Sequence, residues 1–248
     1  MPATSSAADG IPPGKQAASH HALLPSPLEG VISAGDHLVL VAADELPTGS
    51  SPLLEPHLHV LRDALERNAI VSVMKKSNFR TALGQLGHEP RLVICDSPIL
   101  ADIAASIPAS LAVTTFSILL ARSKGDFAVF AKDALAVTKL RSGDRVLIAE
   151  SSAEHFPGAE VGRKLIPQWI TQHIATGVSF DIHDGPGLPQ DLTGYRMILQ
   201  CVGCVISREE MAARIQRAHE AGVPITGYGF CIAAIFGKLD RVVELFES

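Results

Sequence analysis

The sequence predicts an α/β protein of two small consecutive domains with mostly parallel sheets, after a disordered N-terminal tail. Three observations predict this class. Apolar runs of strand length alternate with stretches that have the 3.6-residue period of a helix. The strand runs are apolar throughout, as in sheets that helices cover on both faces. The 248-residue chain is 47% hydrophobic, which is enough apolar material for one or two buried cores.

The tail is predicted over residues 1–35, which are rich in Ala, Ser and Pro. It holds neither the apolar segment of a secretory signal nor the arginines of a transit peptide. Its stretch GIPPGK, residues 10–15, is too short for a phosphate-binding loop and has no Ser or Thr after the lysine. We therefore expect an intracellular protein, cytoplasmic in the first place, with an organelle matrix as the alternative.

Residues 36–118 are predicted to form the first domain. Pro56 marks the start of its first helix, because proline suits a first helical turn, and Asp96 and Ser97 can cap the third helix. His57 and His59 point to different faces of the first helix and are expected at the surface. The strands are expected at 37–43, 69–74, 91–97 and 111–116, and the helices within 51–67, 78–86 and 98–107.

Residues 119–248 are predicted to form the second domain, with the boundary near 118–126. Ser207 is expected to be a helix N-cap, with Glu210 as its capping-box partner and Gly222 past the helix end. The strands are expected at 144–150, near 178–184, at 195–201 and at 223–226, and the helices at 126–140, 161–176, 207–221 and 231–246.

Two cysteines three positions apart, Cys201 and Cys204, carry the strongest chemical signal. They follow a strand and precede a helix, whose N-terminus favours the thiolate form. The spacing is typical of a metal or redox site, although two small core residues are the alternative. Thioredoxin-like redox sites usually have Trp where this chain has Gln200. The other thiols of the chain, Cys95 and Cys231, are expected to be buried.

A second polar stretch, IAESSAEHFPGAE at residues 148–160, leaves the strand at 144–150. The carboxyl ends of neighbouring parallel strands converge, so this stretch and the cysteine pair are plausible neighbours. A closed metal site needs about four ligands, and the stretch offers weak candidates to complete one. An ordinary loop that caps the following helix is the alternative. The candidates are Ser152, Glu154, His155 and Glu160.

Several stretches match one known family in their order and spacing. They are LRDALERNAIVSVMKK (61–76), LVICDSP (92–98), TTFSILLARSKGDF (114–127), LRSGDRVLIAESS (140–152), VGRKLIPQWI (161–170), CVGC (201–204) and EAGVPITGYG (220–229). The chain resembles the C-terminal half of HydF, the [FeFe]-hydrogenase maturation GTPase. This resemblance implies that the first domain builds a dimer by joining sheets. It also implies that the second domain holds a [4Fe–4S] cluster and carries the di-iron precursor that is delivered to the hydrogenase.

The cluster motif of that family is only partly present. It has Cys-x-His and, after a long gap, His-Cys-x-x-Cys, which corresponds here to Ser152 and Glu154, then Gln200, Cys201 and Cys204. Four thiolates normally hold a [4Fe–4S] cluster. Two thiolates with a carboxylate and an imidazole suit Zn²⁺ at least as well. No GTPase domain is seen before residue 36, so GTP is not expected as a ligand.

The leading expectation is therefore a non-catalytic scaffold resembling HydF that binds an iron–sulfur cluster or another metal at Cys201 and Cys204. One alternative is a degenerate dimeric interaction module that has lost the cluster, and another is a thiol–disulfide protein. The resemblance implies a homodimer or a larger assembly, with a hydrogenase or a separate GTPase as partner. The net charge of −5, without a Lys/Arg stripe, argues against nucleic acid. No apolar run reaches the roughly 18 residues that cross a membrane.

Overall fold

A computed structural model describes residues 26–44, 55–150, 160–202 and 206–246. They form two four-stranded parallel sheets with packed helices, which confirms the predicted class. The strands are β1 (His37–Ala42), β2 (Ile70–Lys75), β3 (Leu92–Cys95), β4 (Val113–Thr115), β5 (Arg145–Glu150), β6 (Ser179–Asp184), β7 (Tyr195–Gln200) and β8 (Ile225–Gly227). The α-helices are α1 (Glu55–Glu66), α2 (Lys76–Gln85), α3 (Leu100–Ser106), α4 (Phe116–Lys124), α5 (Phe127–Ala134), α6 (Ile166–His173), α7 (Arg208–Glu220), α8 (Tyr228–Ile235) and α9 (Leu239–Val243). None of these described helices is long and apolar enough to cross a membrane.

The two sheets have the same topology. Their strand orders are β2-β1-β3-β4 and β6-β5-β7-β8, and every pair is parallel. In each sheet the chain builds one edge first and then crosses to the other side. The point of crossing lies between β1 and β3 in the first sheet and between β5 and β7 in the second. The crevice outside the carboxyl ends of the strands at such a point is the usual ligand site of open α/β sheets.

One hydrophobic core joins the two sheets. It includes Val39 and Val93 of the first sheet together with Ile148 and Leu199 of the second. Helix α8 is buried along its whole length and packs against helices of both units. Helix α9 then returns to the first sheet, where the Thr114 hydroxyl donates to the carbonyl of Val242 at 3.3 Å. The two units are therefore fixed against each other by shared packing.

The tail predicted over residues 1–35 extends too far toward the carboxyl end, because its last ten residues belong to the packed first unit. Residues 1–25 lie outside the described residues, whereas residues 26–35 pack on the first sheet. Leu28, Val31 and Ile32 are buried in the cluster beneath α1. The carboxylate of Asp63 anchors them by accepting from the Leu28 N–H at 2.8 Å and from the Ser26 hydroxyl at 2.5 Å. Composition missed this contact because its partner lies far along the chain.

Three predicted helix features need correction or refinement. The helix expected over 126–140 ends at Ala134 and continues as a 3₁₀ turn, Val137–Lys139, which places Val137 in the core. The helix expected over 161–176 begins as a π-helix, Val161–Leu165, and Pro167 then starts α6. Ser207 is the N-cap as predicted, but the Glu210 carboxylate accepts from the Gly187 N–H instead of completing a capping box.

The prediction of a surface position for His57 is wrong. Its imidazole is buried, packs edge-on against Phe116 and forms a 2.7 Å hydrogen bond with the Asp96 carboxylate. Asp96 also accepts from the Ala43 N–H at 2.8 Å, and its side chain makes no capping bond to the following helix. The packing of α1 on the sheet brings His57 to the end of β3. The buried positions predicted for Cys95 and Cys231 are confirmed.

Candidate functional site at the carboxyl end of the second sheet

The ends of β5 and β7 are neighbours, as the sequence predicted. Ala149 pairs with Gln200 in the register of the two strands, and the Cys201 N–H donates to the Ala149 carbonyl at 3.0 Å. The first residue of the cysteine pair therefore lies at the point where the chain crosses the sheet. Its side chain is only 2% exposed.

Of the other predicted metal ligands, the structure describes Glu160 alone. Ser152, Glu154, His155 and Cys204 lie outside the described residues, so their proximity to Cys201 stays a prediction. Glu160 is described, and its side chain is 65% exposed and pairs with Lys164 at 2.9 Å. The Glu160 carboxylate therefore lies on the helix surface in an ion pair with Lys164. Among the residues that the structure describes, no three His, Cys, Asp or Glu side chains gather as metal ligands would.

A buried carboxylate that the sequence analysis missed lies at the end of β5. Glu150 is almost fully buried, and its two oxygens accept from Arg163 at 2.7 Å and from the Tyr228 hydroxyl at 3.1 Å. Arg163 also contacts Asp184, at the end of β6, at 3.1 Å. The hydrogen bond that Arg163 donates to the Glu150 carboxylate is the main cause of the raised pKa of Arg163. The π-helix that carries Arg163 is thereby tied to two strand ends.

A buried arginine, also missed, ties the same strand ends from α7. The Arg214 guanidinium donates to the side-chain oxygen of Gln200 at 2.9 Å and to the carbonyl of Gly185 at 2.6 Å. It contacts the Glu210 carboxylate at 3.0 Å and the Glu150 carbonyl at 3.5 Å. A buried guanidinium is tolerated only when such partners compensate for its lost hydration. Arg214 therefore links the carboxyl ends of β5, β6 and β7.

Gln200 connects this arginine to the thiol position. Its amide nitrogen donates to the carbonyl of Cys201 at 2.8 Å while its amide oxygen accepts from Arg214. Gln200 is fully buried, so both ends of the amide are committed to these contacts. Gln200 stands where the HydF motif has a histidine. In this chain the position serves the backbone instead of offering an imidazole ligand.

The thiol inventory tests whether the residues fit a [4Fe–4S] cluster. The chain has four cysteines. Cys95 is buried on β3 of the other sheet, and Cys231 is buried within α8, where burial raises its pKa far above the usual range for a thiol. Of the four cysteines, Cys201 and Cys204 therefore remain as candidate thiolate ligands. The four-thiolate set that normally holds a [4Fe–4S] cluster is therefore not available from one chain, whereas two thiolates fit a mixed-ligand zinc site.

Two family models match the chain. The hydrogen maturase F dimerization domain matches residues 28–125, and the hydrogen maturase F tetramerization domain matches residues 128–245. No curated protein matches the chain. The two models meet between residues 125 and 128, and the domain limits expected from the sequence, 36–118 and 119–248, stay a prediction. Both matched domains are oligomerisation modules of a hydrogenase maturase, and the chain belongs to the HydF family.

Proposed function

We propose that this chain is a non-catalytic scaffold of [FeFe]-hydrogenase-type maturation that associates with a second copy along β2 and α1. The observation that supports this proposal is an exposed apolar edge on the first unit. The match to a dimerization domain supports self-association, and the exposed edge provides a surface through which two copies can associate. Sheet edges that are neither covered nor charged tend to pair with another chain.

The two edges of the first sheet differ in how they are covered. The β4 edge is packed by α9, which receives the hydrogen bond from Thr114. Strand β2 at the other edge pairs only with β1 within the described residues. Its Val73 is 44% exposed, although valine is usually buried in a sheet. Among the residues that the structure describes, the β2 edge is therefore the open edge of the first unit.

Helix α1 extends the apolar surface beside that edge. Leu58, Leu61 and Leu65 follow one face of the helix and line an open groove with Arg62 and Glu66. Leu65 is 56% exposed. A contiguous apolar surface of this kind usually marks an interaction site.

Val73 faces the same side of the sheet as α1. It is the register partner of Leu40, which is buried in the cluster beneath α1. The apolar surface therefore continues from the helix to the strand edge. A second copy bound here would bury both the exposed face of α1 and the β2 edge. This agrees with the resemblance to HydF, which implies a dimer built by joining sheets.

Lysine substitution tests this surface. Val73→Lys and Leu65→Lys should each weaken the assembly, as measured by sedimentation velocity of the whole chain at micromolar concentration. Leu135→Lys is the matched control, because Leu135 is 48% exposed but lies at the end of α5 in the second unit. An unchanged mass for both variants, with folding verified by circular dichroism, would sink the proposal.

Metal binding at Cys201 and Cys204 is the second part of the proposal. The position of Cys201 at the crossing point of the sheet favours it, and the thiol inventory favours a single thiophilic ion such as Zn²⁺ over a [4Fe–4S] cluster. The two thiolates would be completed by ligands from the candidates Ser152, Glu154, His155 and Glu160. A hydrogenase or a separate GTPase chain remains the proposed recipient or partner.

Metal analysis after anaerobic reconstitution with zinc, or with iron and sulfide, tests this part. We expect stoichiometric zinc that is lost when Cys201→Ala and Cys204→Ala are combined. The control Cys231→Ala should retain it, because that thiol is buried within α8. If no stoichiometric metal is bound, the interaction module without a cluster is the better description. Reduction of a model disulfide by the intact pair would instead favour the thiol–disulfide alternative.

A further inference from the structure

Two histidines face each other at the amino end of the first sheet. His37 is the first residue of β1, and His88 lies in the segment between α2 and β3. Nδ1 of His37 and Nε2 of His88 are 2.9 Å apart, and the planes of the two rings are tilted by 42°. The Arg91 N–H donates to the His37 carbonyl at 2.8 Å, which fixes the chain just after His88 against β1. The backbone therefore keeps the two imidazoles together.

Ser72 of β2 determines which nitrogen of His37 directs a lone pair toward His88. The hydroxyl oxygen of Ser72 is 2.9 Å from Nε2 of His37. When Nε2 carries the proton and donates to this hydroxyl, the lone pair of Nδ1 points toward His88. His37 is only 7% exposed, so its ring is held in this orientation by the surrounding packing. A histidine that binds a metal usually donates its second ring N–H to an oxygen in the same way.

We propose that Nδ1 of His37 and Nε2 of His88 together bind a single Zn²⁺ ion. Tetrahedral zinc has Zn–N bonds of about 2.0 Å, which place two of its nitrogen ligands roughly 3.3 Å apart. The two nitrogens are 2.9 Å apart in the structure, so they need to separate by only about 0.4 Å. His88 is exposed, and its ring can make this movement while the buried ring of His37 stays in place.

Both imidazoles bind the ion as neutral ligands. The proton that Nε2 of His88 shares with His37 moves through solvent to Nδ1 of His88, so no net proton is released. Imidazole nitrogen suits Zn²⁺, whereas Mg²⁺ and Ca²⁺ prefer oxygen ligands. Among the residues that the structure describes, no third His, Cys, Asp or Glu joins the pair as a ligand, so water fills the remaining positions. The site is therefore open and exchangeable, unlike the closed four-ligand sites of structural zinc.

Calorimetric titration with zinc chloride at pH 7.5 tests the proposal in the whole chain with Cys201→Ala and Cys204→Ala combined, so that the cysteine pair contributes nothing. We expect one zinc ion per chain, and adding His88→Ala should abolish its binding. His219→Ala is the matched control and should leave zinc binding unchanged, because His219 is also exposed but lies on α7 of the second unit. Absence of zinc binding before any histidine is replaced, or equal binding in the His88→Ala variant, would overturn the proposal.

Nitrogen-15 NMR of the histidine rings provides a readout that needs no histidine substitution. Zinc should shift Nδ1 of His37 and Nε2 of His88 and leave Nε2 of His37 protonated. Ser72→Ala should weaken zinc binding about tenfold, as loss of an orienting partner typically does. Shifts confined to other histidines would also overturn the proposal.

The two zinc sites fail separately. Two imidazoles and water hold the ion weakly, so this zinc should dissociate when unbound metal is removed and should not add to the zinc that the cysteine pair retains after reconstitution. Loss of the retained zinc contradicts the metal part of the proposed function. Loss of only the equilibrium binding that depends on His88 contradicts this inference.

Discussion

The guanidinium of Arg214 and the amide oxygen of Gln200 lie 2.9 Å apart, with both side chains buried. Through this contact a helix of the second unit holds the residue that precedes Cys201. The same guanidinium reaches the carbonyl of Gly185 after β6. The same guanidinium therefore contacts the carboxyl ends of both β6 and β7 beside the candidate site.

Arg214→Met should destabilise the protein by about 3 kcal/mol, because it leaves the buried oxygen of Gln200 and the half-buried carbonyl of Gly185 without their donor. Since a chain of this size loses roughly 2–4 °C of melting temperature per kcal/mol, calorimetry should show a fall of about 6–12 °C.

The control for that variant is Arg217→Met, one turn along the same helix. The Arg217 guanidinium donates to the carbonyls of Leu188, Pro189 and Gln190 in a partly exposed loop. Water can replace it there, so we expect a loss of no more than about 1 kcal/mol. Equal losses for the two variants would contradict the special role of the buried arginine.

The sequence predicted the strands better than it predicted the site. Each strand of the second sheet is an apolar or alternating run, and the rule that parallel strand ends converge placed β5 beside β7 correctly. The order of the strands within each sheet was not predicted, because it depends on packing between distant helices. The residue at which the tail ends was predicted wrongly for the same reason. Leu28 is bound by the Asp63 carboxylate, which lies 35 residues further along the chain.

The polar network was missed because charged residues in a helix or at a strand end are usually solvated. One signal was available in α7. Met211, Ile215 and Ala218 form its buried stripe, and Arg214 falls within that stripe instead of on the exposed face. An arginine inside an apolar stripe predicts a buried partner. Glu150, as the last residue of the apolar run in β5, was a weaker signal of the same kind.

Gly162→Ala should destabilise the π-helix beside the candidate site. A Cβ atom at Gly162 would lie 2.2 Å from the hydroxyl oxygen and 2.6 Å from Cζ of Tyr228. The tyrosine cannot move away freely, because it is buried and bonded to Glu150. We expect a loss of about 2 kcal/mol in urea unfolding, as is typical of overpacking.

The control Gly84→Ala has no atom within 4 Å of its new methyl group. It lies in α2 and should leave stability unchanged or raise it by about 0.5 kcal/mol, since alanine favours the helix. A Gly162→Ala variant as stable as Gly84→Ala would show that the close approach to Tyr228 is not required.

His37 should make the first unit sensitive to acid. Its ring nitrogens hydrogen-bond with His88 and with Ser72 of β2, each at 2.9 Å. Burial first, and then the neighbouring His88, lower the pKa of His37 below its ordinary value of 6.5. Below pH 6.5 the unfolded chain therefore binds a proton that the folded chain disfavours. The stabilisation is present above pH 6.5 and is lost as the pH falls, by at most about 1.4 kcal/mol per pH unit.

Urea unfolding from pH 7.5 to 5.5 measures this effect. His37→Gln should flatten the acid slope, and His88→Asn should reduce it in part, because it removes only the smaller cause of the lowered pKa. An acid slope that is identical in the wild type and His37→Gln would exclude His37 as its source.

Cys231 should make the protein sensitive to alkali. The thiol is fully buried in α8, and burial raises its pKa above the ordinary value near 9.0. Above pH 9 the unfolded chain loses this proton while the folded chain retains it. The stabilisation is therefore complete below pH 9 and decreases as the pH rises, by about 1.4 kcal/mol per unit. Cys231→Ala should remove that part of the alkaline slope in urea unfolding between pH 8 and 10.5.

Ile232→Val trims the same buried helix without removing a thiol, so it should lower stability at every pH and leave the slope unchanged. If Cys231→Ala and Ile232→Val gave the same slope, the buried thiol would not be the group that titrates.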